Sequence, residues 1–316
     1  MIWSFSNGRM FKKCQRQWYY KKCLANALAR DSLRHEAYLL GNLSSIHAWR
    51  GKVVDEVIER SIVPALRTQR RITLDDALKA ADNLFDTQLA FALAHKVMEP
   101  GFKKSEHKLD FAAFFEVEYG KPPSHEDIDK ARAEVHKALR NLFTSSQFEE
   151  LRKVIKSANA IEAQCTLSFR FMGATVRAIP DLICLFRSEP PLIIDWKVHH
   201  FGVHDYYQQL VAYAIVLIRS GEHKSLPRAM RNCAPQAVRL YECQLLKDEA
   251  RQHVVEQQDI DSVEERMAGE ICEMLAAVDG LKNSELCPDD FPTTNWPGVC
   301  ATCNFQKICF EKPKNV

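Results

Sequence analysis

The hydrophobic positions of this chain keep two rhythms, and the change between them falls near residue 160. Upstream, apolar residues recur at three- and four-residue spacing, the period of amphipathic helices. That predicts a lead-in and helix over residues 2–30 that runs through Cys14. A second helical stretch, RHEAYLLGNLSSIHAWRGKVVDEVIERSI, is expected to break near Gly41 or Gly51. From about 61 to 160 the pattern is wholly helical. Thr73 with Asp76, and Ser124 with Asp127, have the spacing of helix N-caps, and prolines at 100, 122 and 123 punctuate the region. Beyond 160, IEAQCTLSFRF, ATVRAIPDLICLF and PLIIDWKV read as three strands in close succession. An apolar helix, DYYQQLVAYAIVLIRS, follows and ends at Gly221. AVRLYECQLL and ARQHVVEQ then predict a hairpin turning at residues 247–249, and Asp261 is expected to cap a last long helix ending near Gly280. Residues 281–316 read as irregular. The order is that of an α/β protein, with no internal repeat.

Composition changes this picture little. With 316 residues, 46% hydrophobic and 27% charged, the chain has the make-up of a globular protein. No stretch approaches the ~20 apolar residues of a membrane helix. The first residues lack the apolar core of a signal peptide, so the cytosol is the expected compartment and no membrane partner is expected. Net charge is only +2, but residues 1–30 hold seven Lys or Arg and no acid, interleaved with Trp3, Phe5, Phe11, Trp18, Tyr19 and Tyr20. That mix suits a phosphate-facing, base-stacking surface. It equally suits a basic helix packed on a core by its aromatics. Of the eleven cysteines, Cys165, Cys184, Cys233, Cys243 and Cys272 are expected to be buried as small apolar side chains.

Two acids stand where buried strands should have none. Over residues 179–199, Asp181 follows Pro180, and Asp195 stands two residues before Lys197. A turn about residues 188–190 would place Asp181 across from Lys197 with Asp195 one pleat away, so that both carboxylates and the ammonium converge. Two carboxylates at one point repel each other unless a cation lies between them, and carboxylate oxygens suit Mg²⁺ or Mn²⁺. The competing reading is a hairpin with edge acids and one salt bridge. Gln209 and Tyr213, four apart on the next helix, share one face.

Pro180–Asp181, then Asp195-Trp196-Lys197, then Gln209-Leu-Val-Ala-Tyr213 resemble the ordered motifs of the PD-(D/E)XK nuclease superfamily in its RecB-like branch. The resemblance implies a restriction-endonuclease-like core: a mixed central sheet flanked by helices. It implies that Asp181 and Asp195 bind metal, with Trp196 between acid and lysine in the metal-binding set. Lys197 would serve the nucleophilic water, while Gln209 and Tyr213 steady the site and DNA. The branch usually carries a histidine in a pattern like G-x-x-V-H; here Gly51-Lys-Val-Val54 is followed by Asp55, which is expected to stand in as a metal ligand. His47 reads as structural, and Glu162 as a strand-end acid near the site.

Cys300-x-x-Cys303-x5-Cys309 has metal-site spacing, which with a fourth thiolate suits either Zn²⁺ or an iron–sulfur cluster. Iron–sulfur members of the RecB-like branch, CRISPR-associated nucleases and helicase–nuclease subunits among them, pair three such cysteines with one near the N-terminus. Ser6, Phe11, Cys14 and the aromatics at 18–20 resemble that pattern, with Gln15 where the family has proline. The resemblance therefore implies a [4Fe–4S] cluster on Cys14, Cys300, Cys303 and Cys309, with Cys23 and Cys287 in reserve. The expected organisation is N-terminal helices (1–60), a helical insertion (61–160), the nuclease core (161–280) and a cysteine-rich segment (281–316). The expected function is metal-dependent DNA hydrolysis on single strands or ends, in repair, CRISPR adaptation or phage defence, the insertion docking a helicase or defence partner. The alternatives are a catalytically silent DNA-binding subunit and a zinc-stabilised endonuclease.

Overall fold

A computed structural model describes residues 1–99, 101–198 and 204–310; Pro100 and His199 lie outside the described residues. Among these, the strands are β1 (Ile2–Trp3), β2 (Ala160–Ala163), β3 (Leu167–Phe171), β4 (Ala174–Ala178), β5 (Leu182–Leu185), β6 (Leu192–Lys197), β7 (Arg239–Gln244) and β8 (Glu249–His253). The chain divides into two compact units. One comprises Met1–Ser4, His47–Asp86 and Ser124–Ala268; the other comprises Phe5–Ile46, Thr87–Pro123 and Gly269–Val316. Residues 61–160 thus contribute to both.

In the first unit a five-stranded sheet runs in the order β2-β5-β6-β7-β8 and a three-stranded sheet in the order β1-β4-β3. The architecture is mixed α/β, as the sequence leads one to expect. β6 and β7 are parallel, whereas the other pairs of the larger sheet are antiparallel. A parallel pair needs a crossover, and the helix His204–Arg219 supplies it. Leu210, Val211, Ile215, Val216 and Leu217 of that helix are fully buried, each stabilising by about 1.5–3 kcal/mol.

Two predicted strands prove to be four. Gln164, with φ 49°, ends β2 before β3 begins. Met172 and Gly173, at φ 46° and 80°, form the tight turn between β3 and β4. Pro180 has no N–H to donate, and β4 ends two residues before it. Residues 160–186 therefore feed both sheets rather than one. The hairpin between β7 and β8 turns where expected, with Asp248 at φ 61°.

The expected helices are present with adjusted limits. The second stretch breaks at Gly41, between Ser32–Leu40 and Ile46–Val57, and runs unbroken through Gly51 into a π-helical turn, Ile58–Ile62. Ser124 and Asp127 cap each other reciprocally, as do Thr73 and Asp76. The helix Gln257–Val278 starts before Asp261, because the Asp259 carboxylate accepts from the Glu256 N–H at 2.9 Å. Cys165, Cys184 and Cys243 are buried as expected, whereas Cys233 is half-buried and Cys272 lies exposed on this helix.

In the second unit, helices Phe5–Lys13 and Gln15–Tyr19 meet at Cys14, whose extended backbone (φ −166°) breaks the single helix expected there. Phe5, Phe11, Trp18, Tyr19 and Tyr20 are buried. Tyr19 stacks on Phe291 at 4.7 Å and Tyr20 lies 5.6 Å from Phe305. The aromatics of this segment are core, so they offer no base-stacking surface.

Candidate active site

β5 and β6 place the two acids. Leu182 pairs with Ile194, Ile183 with Ile193 and Cys184 with Leu192. Continued one residue past the ladder, this register sets Asp181 opposite Asp195, not opposite Lys197 as the turn residues suggest. The difference is two residues, one full pleat, so every side chain keeps its face and the convergence survives. Asp181 accepts from the Trp196 N–H at 2.8 Å and from Gln164 Nε2 at 3.0 Å. Lys197 is ion-paired with Asp195, and its ammonium lies 4.9 Å from the centre of the Tyr206 ring. Asp195 is 1% exposed, so this charge sits in a nearly dry environment. The Trp196 indole, on the other face of β6, lines an apolar cavity with Ile58, Ile62 and Leu182.

Asp55 arrives from the helix Ile46–Val57. Arg50 on that helix donates to the Val198 carbonyl at 3.2 and 3.3 Å and is ion-paired with Glu134. Gly51 faces Val198, and a Cβ there would make ordinary contact with Val198 Cβ at 3.8 Å. Gly51 and Asp55, four apart, share the helix face turned to the end of β6. His47 bonds Arg50 at 3.2 Å, a structural role.

The electrostatics show three carboxylates in one field. Burial, countered by Lys197 and reinforced by Asp195, raises Asp55 from near 3.8 to about 7. Asp181 is raised well above the carboxylate range by burial, then by Asp195 and Asp55. Asp195 is raised by burial despite Lys197. Burial would lower Lys197, but Asp195 and Asp181 outweigh it and keep the ammonium charged. Gln209 donates to the Tyr213 hydroxyl, and Tyr213 is raised by burial and by the nearby Asp195 and Asp181. Asp55, Asp181, Asp195, Lys197 and Tyr213 thus share one electrostatic cluster, with Gln209 joined to it through Tyr213, whereas Trp196 reaches it by its backbone N–H and not by its side chain. Glu162 is not among them: it pairs with Arg67 at 2.6 Å.

Sequence reasoning missed Gln164 and Glu242. Gln164 carries no motif. Glu242 stands level with Asp195 in the parallel β6–β7 register. Burial would raise it, but bonds from His253 and Gln244 hold it below the usual range. Its signal was the alternation Leu240, Glu242, Gln244, which puts two polar groups on a buried face.

The sequence profile of the PD-(D/E)XK nuclease superfamily matches residues 2–310, nearly the whole chain. The chain belongs to that superfamily. No curated protein matches it. Among solved structures, the crystal structure of SSO0001 is similar over 73% of this chain and 96% of its own, at 13% identity and a TM-score of 0.30.

Members of the PD-(D/E)XK superfamily generally work with divalent metals, and the donor set fits one: buried, mutually repelling carboxylate oxygens. Here Gln164, the Trp196 N–H and Lys197 engage those oxygens, and among the described residues no three His, Cys, Asp or Glu stand at single-ion spacing. In this PD-(D/E)XK chain the remaining predicted ligands are sulfurs. Cys14, Cys300, Cys303 and Cys309 line one small cavity with Gln17, Tyr20, Phe305 and Phe310. Cys14 Sγ accepts from the Gln17 N–H at 3.5 Å. Burial pushes Cys303 up to about 11, with the other three cysteines adding to it. Burial also raises Cys309, against Arg16. Cys23 is buried, Cys287 is exposed, and neither lines the cavity.

Proposed function

We propose that this protein is a metal-dependent nuclease that hydrolyses DNA phosphodiester bonds, acting on single strands or DNA ends. The observation that carries it is Asp181 set level with Asp195 on adjacent strands, with Lys197 ion-paired to Asp195, on the superfamily's own motif positions. Asp55, Asp181, Asp195 and the backbone of Trp196 would hold Mg²⁺ or Mn²⁺. Such an ion lowers the pKa of a bound water and offsets charge developing on phosphate. Lys197, held charged by its acids, orients the attacking water and neutralises phosphate oxygens rather than acting as the base. Tyr213, fixed by Gln209, keeps the acids in place.

The same reading gives the four cysteines a [4Fe–4S] cluster, which their four thiolates would hold. Its support is the shared cavity, and its role is structural. The substrate setting of repair, CRISPR adaptation or phage defence, with a helicase or defence-complex partner, belongs to the same proposal.

Purified protein with Mg²⁺ or Mn²⁺ should cleave labelled single-stranded, duplex or flapped DNA. Asp195→Ala should lower the rate at least about 10³-fold, the worth of several kcal/mol of transition-state charge stabilisation. An Asp195→Ala protein that cuts as fast as wild type sinks this mechanism. A wild-type protein that binds DNA without cutting would leave the silent-subunit reading in its place.

A further inference from the structure

We propose a second nucleic-acid contact in this protein: a cationic cavity that grips backbone phosphates at the far end of the strand that leads to the acids. The inference rests on the nuclease reading and names where the strand runs beyond the site. A cavity of about 510 Å³ is lined by Arg67, Arg70, Arg71 and Lys156, with Asn159 and the start of β2 as its floor. All four cationic side chains are exposed. Arg67 is engaged by Glu162 and by the Ile161 carbonyl. Among the described residues the Arg70 guanidinium bonds only the Thr68 hydroxyl, and neither Arg71 nor Lys156 has an ion pair. A concave site with three uncompensated cations attracts polyanions.

The loop is built to hold them. Thr68 ends the helix Val63–Arg67, and Gln69 follows in the left-handed region at φ 53°. The Arg70 N–H bonds the Ala65 carbonyl at 2.9 Å and the Gln69 N–H bonds the Leu66 carbonyl at 3.1 Å. That pair of bonds is a Schellman turn, usually closed by glycine. It fixes the backbone that presents Arg70 and Arg71.

The strand β2 links the cavity to the acids. Its first residue, Ala160, lines the cavity, and its last, Ala163, pairs with Leu182, the neighbour of Asp181. Gln164, the next residue, bonds Asp181, and at ~3.3 Å per residue the four steps from Ala160 span about 13 Å. Over such a span the cavity would meet a phosphate a few nucleotides from the scissile bond. The competing explanation is that Arg70 and Lys156 only complement two helix C-termini.

Binding of a fluorescent 20-nucleotide single strand and of its duplex, measured by anisotropy in EDTA over a salt series, separates the two. Arg70→Gln with Arg71→Gln should weaken binding about tenfold at low salt. It should also lower the log–log salt slope by ~1.4 on the single strand or ~1.8 on the duplex, the value for two released phosphate contacts. Lys156→Gln should lower it by about half as much. Unchanged affinity and slope in both variants would overturn the proposal while leaving the nuclease reading intact. A lowered Tm with unchanged binding would establish the helix-terminus role instead. Wild-type protein that binds neither DNA overturns the proposal as well, while cleavage with Mg²⁺ or Mn²⁺ still decides the nuclease reading.

Discussion

The most consequential residue is Asp55, an acid where the resemblance to the RecB-like branch leads one to expect a histidine. A histidine ligand is neutral; an aspartate adds a third negative charge to Asp181 and Asp195, and burial, with Asp195 adding to it against Lys197, raises its carboxyl to about 7. Because its folded value lies above the ordinary 3.8, the folded metal-free protein binds the extra proton. Stability from this group is fully present below about pH 4 and is lost as pH rises through 7. Metal-free protein should therefore gain melting temperature from pH 7.5 to pH 5, and Asp55→Asn should flatten that trend. Mn²⁺ should raise Tm more at pH 7.5 than at pH 5, since an ion replaces the proton. No difference between the two pH values would remove Asp55 from the metal set. Lys197→Gln should keep DNA binding and lose cleavage by ~10²–10⁴-fold, which a binding assay beside a rate measurement resolves.

At the level of elements, the site depends on turns that the chain writes in single residues. Met172 and Gly173 both sit at positive φ between β3 and β4. Gly173→Val forces a branched side chain into that region, at a cost of about 1–2 kcal/mol by urea denaturation. Such turns explain what was legible. The core strands, the crossover helix and every residue of the acid cluster named in advance could be read, because apolar runs and motif spacing are local. The β5–β6 register could not be read. Residues 188–190 suggested one turn centre, and the ladder from Leu182 to Ile194 chose another, one pleat away. The splitting of residues 160–186 between two sheets was also hidden, since Gln164 at φ 49° is no usual breaker. Gln164 and Glu242 escaped because their roles exist only after β2, β5, β6 and β7 align. The π-helical turn Ile58–Ile62, directly after the helix bearing Asp55, had no signature either; such turns are frequent at functional sites.

For the whole molecule, the cysteine cavity is the feature whose content matters most. Iron and sulfide analysis of protein purified without oxygen should give about four irons per chain, and one zinc in their place would favour the zinc-stabilised alternative. Cys14→Ser is the sharpest variant. Serine still caps the helix Gln15–Tyr19, so a loss of iron with a lower Tm reports the lost ligand and not the lost cap. The cavity also has a consequence in time. Its walls come from residues 14–20 and 293–310, so a nascent chain cannot complete it until Cys309 has emerged. At ~5–20 residues per second, Cys14 waits roughly 15–60 s for its companions. During that interval it is an unpaired thiol on an unfinished protein, open to oxidants and to stray metals. Chains stalled before residue 300 lack Cys300, Cys303 and Cys309, so any metal held by all four thiolates must be delivered after Cys309 has emerged.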